Sequence, residues 1–344
     1  MRRLVDLRSD TVTQPTDEMR EAIANAKVGD VGYDEDPTVN ELEERFASIV
    51  DKPRALFVPS GVMANQIAMR VLTRPGDLVV AGKSQHVVSF EMGASARNAA
   101  IQFALVDDHT GVLHADDIRG FIDAELDHQP HVALVAIENT HMTSGGTPWE
   151  LEDVLSLRAS LGPLPLYLDG ARLFNAVVAT GTTPAQYCQP ATMVMACLSK
   201  GLCAPVGSLL AGPADLMAQA VLERKRLGGT MRQAGFLAAA GLVALSTMVD
   251  RLGDDHARAS ALAAEVAVAF PASRYDPASC RTNIVAFDHP RARGVIAELA
   301  ERGVLAGTVG PRRVRFVTHA GIGDDDVTYV SEVLKALRNS DDVS

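Results

Sequence analysis

Lys200 has the sequence surroundings that most favour covalent chemistry. It follows the apolar run Met193–Leu198, and Ser208–Ala211 is a second apolar run of strand length. A buried ammonium group is costly unless it is paired, neutral or used covalently. A lysine at a strand end in an apolar setting is a typical amine nucleophile for carbonyl groups, including that of pyridoxal phosphate (PLP). Taken alone, the pattern more often belongs to a lysine that extends its side chain to solvent.

Asp169 is a possible second partner for such a cofactor. It directly follows the apolar run Leu164–Leu168 and precedes Lys200 by one strand–helix–strand step. A carboxylate at the end of a buried strand needs a cationic or hydrogen-bonding partner. That partner could be Arg172 in the same turn, or the protonated pyridine nitrogen that makes PLP an electron sink. The spacing suits an aspartate and a lysine that reach opposite ends of one ring, so we interpret the two together as a PLP pair.

Two histidines follow other apolar runs. His86 comes shortly after Leu78–Ala81, and His141 comes after Val132–Ile137. His86 could stack on a pyridine ring, and His141 could act as a general base at a substrate hydroxyl group. Either could instead be a hydrogen-bonded packing histidine. Their position past strand ends makes the two interpretations about equal in weight.

A small-residue turn offers a possible phosphate site. Ser60 and Gly61 follow the apolar run Ala55–Val58, and a helix is predicted to begin near Val62. Backbone N–H groups at a helix start point at one spot, which suits a phosphate group. Plain strand-to-helix turns are common, so this signal is weak without the others.

The elements that must position these residues are short apolar runs that alternate with helical segments. Seven runs have the length of buried strands: Ala55–Val58, Leu78–Ala81, Ile101–Leu105, Val132–Ile137, Leu164–Leu168, Met193–Leu198 and Ser208–Ala211. This alternation predicts an α/β fold with a seven-stranded, mostly parallel sheet, whose ligands bind at the carboxyl ends of the strands. After Gly253 the pattern changes to a compact α/β tail. We therefore predict an N-terminal segment and large domain over 1–252 and a small C-terminal domain over 253–344.

Composition excludes several classes of function. Of the 344 residues, 47% are hydrophobic and the net charge is −11, with no basic patch, so a nucleic-acid partner is not expected. Four cysteines without CxxC spacing predict free thiols in a reducing compartment rather than disulfides or a metal site. No apolar stretch has the length of a signal peptide core or a membrane span, so we expect a cytoplasmic protein without membrane contact.

Seven motifs that cover almost the whole chain carry a family resemblance. They are DLRSDTVT (Asp6–Thr13), EDPT (Glu35–Thr38), FVPSG (Phe57–Gly61), ENTH with SGG (Glu138–His141 and Ser144–Gly146), DGAR (Asp169–Arg172), CLSKGLCAPVGS (Cys197–Ser208) and MRQAG (Met231–Gly235). Through them the chain resembles the L-threonine aldolase family, within the PLP-dependent fold-type-I (aspartate aminotransferase-like) enzymes. The resemblance implies that fold, with PLP as the cofactor and an amino acid as the substrate.

The resemblance also implies a role for each matched residue. Lys200 would hold PLP covalently, Asp169 would bind its pyridine nitrogen, and His86 would stack on its ring. The phosphate would lie at Ser60, Gly61 and Val62. Arg172 would bind the 3′-oxygen side of PLP or the substrate, and Ser9 and Arg315 would bind the substrate carboxylate. Tyr33 and Arg232 would reach the cofactor or substrate from a neighbouring subunit, because the family is typically a homotetramer, a dimer of dimers with shared sites.

The implied reaction is the cleavage of L-threonine, L-allo-threonine or a related β-hydroxy-α-amino acid to glycine and an aldehyde. His141 through a water, or His86, would take the β-hydroxyl proton, and His141 is the favoured base because ring stacking would compromise His86. Another PLP activity, such as β-elimination or transamination, is the nearest alternative, and a non-catalytic scaffold is a more distant one. Three positions depart from the family pattern: Val62 stands in place of Thr, Met142 in place of Asn, and Asp34 in place of Gly. They bear on affinity and on side-chain preference.

Overall fold

The computed structural model describes residues 3–123 and 128–341. Within these residues, the strands are β1 (Val5–Leu7), β2 (Arg54–Val58), β3 (Leu78–Gly82), β4 (Gln102–Val106), β5 (Val132–Glu138), β6 (Leu166–Gly170), β7 (Met193–Cys197), β8 (Ser208–Gly212), β9 (Ile284–Asp288), β10 (Val304–Thr308) and β11 (Arg313–Val317).

The helices of the described residues lie between and after these strands. They are α1 (Asp17–Ala24), α2 (Pro37–Ile49), α3 (Gly61–Leu72), α4 (His86–Ser89), α5 (Ala94–Ala99), α6 (Ala115–Asp123), α7 (Leu151–Ser160), α8 (Leu173–Thr180), α9 (Pro184–Cys188), α10 (Ala214–Arg226), α11 (Gly235–Thr247), α12 (Leu252–Ala269), α13 (Ala292–Glu301) and α14 (Asp324–Asp341).

The large sheet has seven strands in the order β2-β8-β7-β6-β5-β3-β4. The strand β8 is antiparallel to both of its neighbours, and the other pairings are parallel. Central strands β5, β6 and β7 are buried along their whole length, because helices cover both faces of the sheet. Each of the seven predicted runs corresponds to one of these strands, so the predicted α/β fold with a seven-stranded, mostly parallel sheet is confirmed.

A second, four-stranded sheet has the order β1-β10-β11-β9. Two of its strands were not predicted. The strand β1 is only three residues long and joins the sheet by parallel pairing with β10, which lies near the other end of the chain. The sequence of β10 carries Ala306 and Gly307 in place of large apolar residues. Gly307 is required there, because a Cβ atom would lie 2.8 Å from the Arg8 carbonyl oxygen.

The second sheet and α12, α13 and α14 enclose a hydrophobic core of their own, to which Val5 and Leu7 of β1 also belong. We keep the predicted division into 1–252 and 253–344 as a proposal, with β1 as a segment that crosses to the smaller unit. All four cysteines are free thiols, and three of them are buried.

The Ala- and Gly-rich sequence over 232–252 predicts one long helix, and this prediction is wrong in its length. The structure has two helices there, α11 and α12, which bend by 71° at the break between them. Gly241 lets α11 pack tightly, because a Cβ atom at that position would lie 2.9 Å from both Leu42 and Leu198. The chain must then turn to reach the second core, which α12 covers. In the described part of the chain, no single helix is long and apolar enough to cross a membrane, and only this bent pair meets the criteria of length and composition together.

Candidate active site

A cavity of about 250 Å³ lies where the carboxyl ends of the large sheet meet the second sheet. Its walls bring together five of the predicted site residues, Ser9, His86, Arg172, Lys200 and Arg315, with Thr11, Phe90, Met142, Thr308 and Val309. The predicted position of the site at the strand ends therefore agrees with the geometry. The polar residues come from both sheets, so the site depends on the packing of the two units.

Lys200 is held at the cavity by the turn that follows β7. Its carbonyl oxygen accepts hydrogen bonds from the Thr13 hydroxyl and from the Cys203 N–H group, each at 2.9 Å. Gly207 closes the turn with φ of 110°, and a Cβ atom there would lie 2.4 Å from the Phe57 ring. Only glycine suits both constraints. The backbone of Lys200 is thus fixed while its side chain, which is partly exposed, lines the cavity.

Asp169 lies at the end of β6 and is almost fully buried. One carboxylate oxygen accepts a hydrogen bond from Asn65 Nδ2 at 2.8 Å, and the other accepts one from the Ala171 N–H group at 3.0 Å. The alternative that Asp169 pairs with Arg172 is not what the structure shows. Asp169 is therefore held by neutral donors, which leaves its negative charge available to a cationic group.

Arg172 pairs instead with Asp10, a residue that sequence reasoning did not select. Nε and Nη2 of Arg172 donate to the two carboxylate oxygens of Asp10, both at 2.7 Å, and both side chains are buried. Burial alone would raise the pKa of Asp10, but the Arg172 guanidinium outweighs it and lowers that pKa to about 2. Asn283 Nδ2, from the second unit, lies 3.3 Å from the same carboxylate. The signals for Asp10 were its place in a polar, extended segment next to Ser9 and in the motif DLRSDTVT, and neither assigned it a partner.

Arg315 lies on β11 with its guanidinium facing the same cavity. Nη2 donates to the Arg8 carbonyl oxygen at 2.9 Å, Nη1 lies 3.1 Å from Met142 Sδ, and Nε is buried without a partner among the described residues. Burial and the neighbouring Arg172 guanidinium lower the pKa of Arg315 to about 10, so it stays cationic at neutral pH. A cationic fork with an unsatisfied buried N–H group is suited to an incoming carboxylate.

We expect the Arg315→Lys variant to raise KM and to lower kcat/KM by about 10–100-fold, because a point charge cannot replace a bidentate fork. Steady-state kinetics measure this, with L-threonine as the substrate that the sequence resemblance implies. Arg313→Lys is the matched control, since Arg313 lies on the same strand but outside the walls of this cavity. Equal kinetics in Arg315→Lys and the parent protein would remove Arg315 from the substrate site.

His86 lines the cavity from the start of α4. Its ring stacks on the Phe90 ring with centroids 5.7 Å apart, and its Nδ1 lies 3.0 Å from Glu91 Oε1. Burial would lower the pKa of His86, but the hydrogen bond to Glu91 and the charge of Asp169 raise it above the ordinary value. The Glu138 carboxylate accepts a hydrogen bond from the His86 backbone N–H group at 2.6 Å, which fixes the position of the His86 backbone.

His141 lies away from the cavity, and both of its ring nitrogens are used within the protein. Nδ1 accepts a hydrogen bond from the Ser144 N–H group at 3.2 Å, and Nε2 donates to Asp108 Oδ2 at 3.1 Å. The side chain is 2% exposed. This geometry favours the alternative that His141 orders the turn after β5, and it withdraws support from the prediction that His141 is the base. Sequence position alone could not show this, because Asp108 lies on another loop.

The predicted phosphate site lies at the start of α3. Ser60 caps the helix, because its hydroxyl accepts a hydrogen bond from the Met63 N–H group at 3.2 Å, and Val62 is exposed in the first turn. Gly61 has no room for a side chain, because a Cβ atom would lie 2.8 Å from Cys197 Sγ and from Met195 Cε. The turn is thus packed against the end of β7, next to the segment that carries Lys200.

Tyr33 and Arg232 lie together on the surface and not on the cavity wall. Tyr33 is 76% exposed, and Arg232 pairs with Asp30 at 3.2 Å. Asp34, which stands where the family pattern has Gly, has a φ of 63°. Glycine adopts this left-handed conformation at least cost, which explains why it suits this position. Neither Tyr33 nor Arg232 reaches the cavity of its own chain.

Comparisons with known proteins find relatives of this chain in sequence and in fold. A model of the beta-eliminating lyase family matches residues 6–289. The low-specificity L-threonine aldolase 1 of Arabidopsis thaliana is 38% identical over 340 residues, which cover 95% of this chain and 94% of that protein. Among solved structures, a threonine aldolase of Leishmania major has a TM-score of 0.82 at 22% identity and covers 97% of this chain and 99% of its own. A variant of SPT solved with PLP has a TM-score of 0.77 at 14% identity, with 99% and 89% covered.

Proposed function

The chain belongs to the low-specificity L-threonine aldolase family, within the beta-eliminating lyases, and from this premise we propose that it cleaves L-threonine and L-allo-threonine to glycine and acetaldehyde with PLP as its cofactor. The observation that carries the proposal is one cavity that joins Lys200 to two guanidinium groups, Arg172 and Arg315, with His86 on its wall. A lysine nucleophile beside the Arg315 guanidinium, which has an N–H group without a partner among the described residues, suits an α-amino acid substrate with its carboxylate.

The residues around the cavity fit PLP. Lys200 would hold the aldehyde carbon, and Asp169, which forms no ion pair with an arginine of the described residues, would hold the pyridine nitrogen. The backbone N–H groups of Ser60, Gly61 and Val62 lie at the N-terminus of α3 and would hold the phosphate. The N-terminus of a helix of this length favours an anion. Arg172, fixed by Asp10, would hold the 3′-oxygen side or the substrate. When bound, PLP would supply an electron sink for the charge that develops at the substrate Cα atom.

The protein would select the bond that breaks by holding the substrate carboxylate. Arg315 and Ser9 line one side of the cavity and are placed to bind that carboxylate. A substrate held there can present its Cα–Cβ bond perpendicular to the cofactor ring. Because several bonds to Cα could break, this orientation decides in favour of cleavage between Cα and Cβ.

The β-hydroxyl proton goes to His86 in this proposal. The Nδ1 atom of His86 forms a hydrogen bond with Glu91, and no described residue forms a hydrogen bond with Nε2. Since Nδ1–H faces a carboxylate, the neutral ring carries a free electron pair on Nε2. His141 has no such free nitrogen. His86 can therefore accept a proton directly or through a water.

An absorbance spectrum tests whether the protein is a PLP enzyme at all. We expect the purified protein with added PLP to be coloured, and its spectrum to change when L-threonine is added. A colourless protein whose spectrum does not respond to any amino acid would support the alternative of a non-catalytic scaffold. The presence of Lys200, Asp169 and His86 together argues against that alternative.

We further propose that the protein is a cytoplasmic homotetramer, a dimer of dimers in which each site is completed by Tyr33 and Arg232 of another subunit. Tyr33 and Arg232 share one exposed surface, lie outside their own chain's cavity, and are ordered by Asp30. An exposed tyrosine beside an arginine suits contact with a partner's anionic or aromatic group.

Complementation between two inactive variants tests the shared site. We expect Lys200→Ala mixed with Tyr33→Ala, or with Arg232→Ala, to regain part of the parent activity after subunit exchange, because one hybrid site keeps all of its residues. Activity per hybrid oligomer measures this. Lys200→Ala mixed with Arg315→Ala gives no such recovery if Lys200 and Arg315 act from the same chain. Hybrid oligomers that form without any recovered activity would show that each site is built from one chain.

A further inference from the structure

A buried carboxylate, Glu91, lies behind His86 and was not selected from the sequence. Its side chain is fully buried, and it follows α4 in the segment that leads to α5. Oε1 lies 3.0 Å from His86 Nδ1, and Oε2 accepts a hydrogen bond from Gln66 Nε2 at 2.7 Å. Within the described residues, no lysine or arginine pairs with Glu91. An unpaired charge in such a place is costly unless several hydrogen bonds satisfy it.

Asn65 links Glu91 to Asp169. Its Nδ2 group donates to Glu91 Oε1 at 2.6 Å and to Asp169 Oδ2 at 2.8 Å, so its two protons serve two carboxylates. The orientation of this amide is fixed by Tyr167, whose hydroxyl donates to Asn65 Oδ1 at 2.6 Å. The reversed amide would place its oxygen against two carboxylates and its NH₂ group against a hydroxyl donor. The buried hydrogen bonds therefore admit one arrangement.

This arrangement determines the tautomer of His86. A carboxylate accepts hydrogen bonds and does not donate, so the neutral His86 ring must carry its proton on Nδ1. The unprotonated Nε2 is then the nitrogen left for the cavity. The Gln66 and Asn65 hydrogen bonds hold Glu91 in place, which prevents it from rotating away from the ring.

We propose that Glu91 is a positioning residue that fixes the Nδ1–H tautomer of His86 and, through Asn65, ties the ring to Asp169. The inference rests on the proposed function only for its effect on rate, because the tautomer is a property of the protein itself. The charged groups that face His86 are Glu91, Asp169 and Lys200, and the Glu138 carboxylate contacts its backbone N–H. Among these four groups, only Glu91 forms a hydrogen bond with the His86 ring.

The direct test is ¹⁵N NMR of histidine-labelled protein, purified with its cofactor and without substrate, with the His86→Asn variant used to assign the signal. We expect the neutral His86 ring of the parent protein to be protonated at Nδ1. In Glu91→Gln we expect a mixture or the Nε2–H form, because the new amide can donate to Nδ1. The matched control is Glu138→Gln, which removes a second buried carboxylate that contacts the His86 backbone but not its ring, and it should keep the Nδ1–H form.

The kinetic consequence in Glu91→Gln is a kcat/KM lower by about 10²–10⁴-fold, the range seen when a general base or its orienting carboxylate is lost. Loss of the negative charge also lowers the pKa of His86, so the acid limb of the pH profile moves to lower pH by about one unit. An Nε2–H tautomer in the parent protein overturns the proposal without reference to any variant. An equal change of tautomer in Glu91→Gln and Glu138→Gln overturns it as well.

Discussion

The Lys200→Ala variant is expected to lose the covalent link to PLP and nearly all cleavage of L-threonine, a fall on the order of 10⁴–10⁶-fold in kcat. The physical reason is that Thr13 and Cys203 fix the backbone of Lys200 on the cavity wall, and no other lysine of the described residues lines this cavity. Borohydride reduction followed by peptide mapping measures the link, and single-turnover assays measure the cleavage.

A surface lysine serves as the control for this prediction. Lys83 follows β3 at the same edge of the sheet, but it is half exposed and pairs with Asp107. The Lys83→Ala variant should keep both the trapped link and the activity. A reduced cofactor adduct found on a lysine other than Lys200 in the parent protein would overturn the assignment.

The His86→Asn variant is expected to cleave L-threonine about 10²–10⁴-fold more slowly, because the ring is the candidate general base of the cavity. It should also bind PLP less tightly if the ring stacks on the cofactor. In the parent protein the neutral ring is the active form, so activity falls as the pH drops through the raised pKa of His86. The acid limb of the kcat/KM profile should therefore lie at a higher pH than the ordinary pKa of histidine would give, and the limb should disappear in the variant.

His141→Asn is the matched comparison, since the sequence alone favoured His141 as the base. Its buried hydrogen bond to Asp108 predicts a lower free energy of unfolding, by about 1–3 kcal/mol, with kcat/KM close to that of the parent. Thermal unfolding and steady-state kinetics separate the two effects. If His141→Asn folds with normal stability but cleaves slowly, His141 moves during the reaction and the assignment to His86 is wrong.

The strands of the large sheet could be predicted because each is a short, continuous apolar run, which a strand buried on both faces requires. The strands β1 and β10 escaped prediction for the opposite reason. One is three residues long. The other carries the small residue Ala306 and, where close packing against the Arg8 carbonyl leaves no room for a side chain, Gly307. Their pairing joins distant parts of the chain, which local patterns cannot indicate.

The candidate site was predictable where residues follow strand ends, as Lys200, Asp169 and His86 do. Its hydrogen-bond partners were not, because Asp10, Asn65 and Glu91 reach the site from other elements. These partners bear on two of the interpretations made from the sequence. Arg172 pairs with Asp10 rather than with Asp169, and the His141 side chain forms a buried hydrogen bond with Asp108, so His86 is the proposed base.

Identification of the products from L-threonine tests the central claim most directly. The protein with PLP is incubated with L-threonine, and glycine, acetaldehyde, ammonia and 2-oxo acids are quantified over time. Cleavage between Cα and Cβ predicts glycine and acetaldehyde in equal amounts, with no ammonia above the enzyme-free control. A 2-oxo acid with ammonia would show β-elimination, and a 2-oxo acid formed only with an amino acceptor would show transamination. Either result without glycine would contradict the proposed retro-aldol reaction.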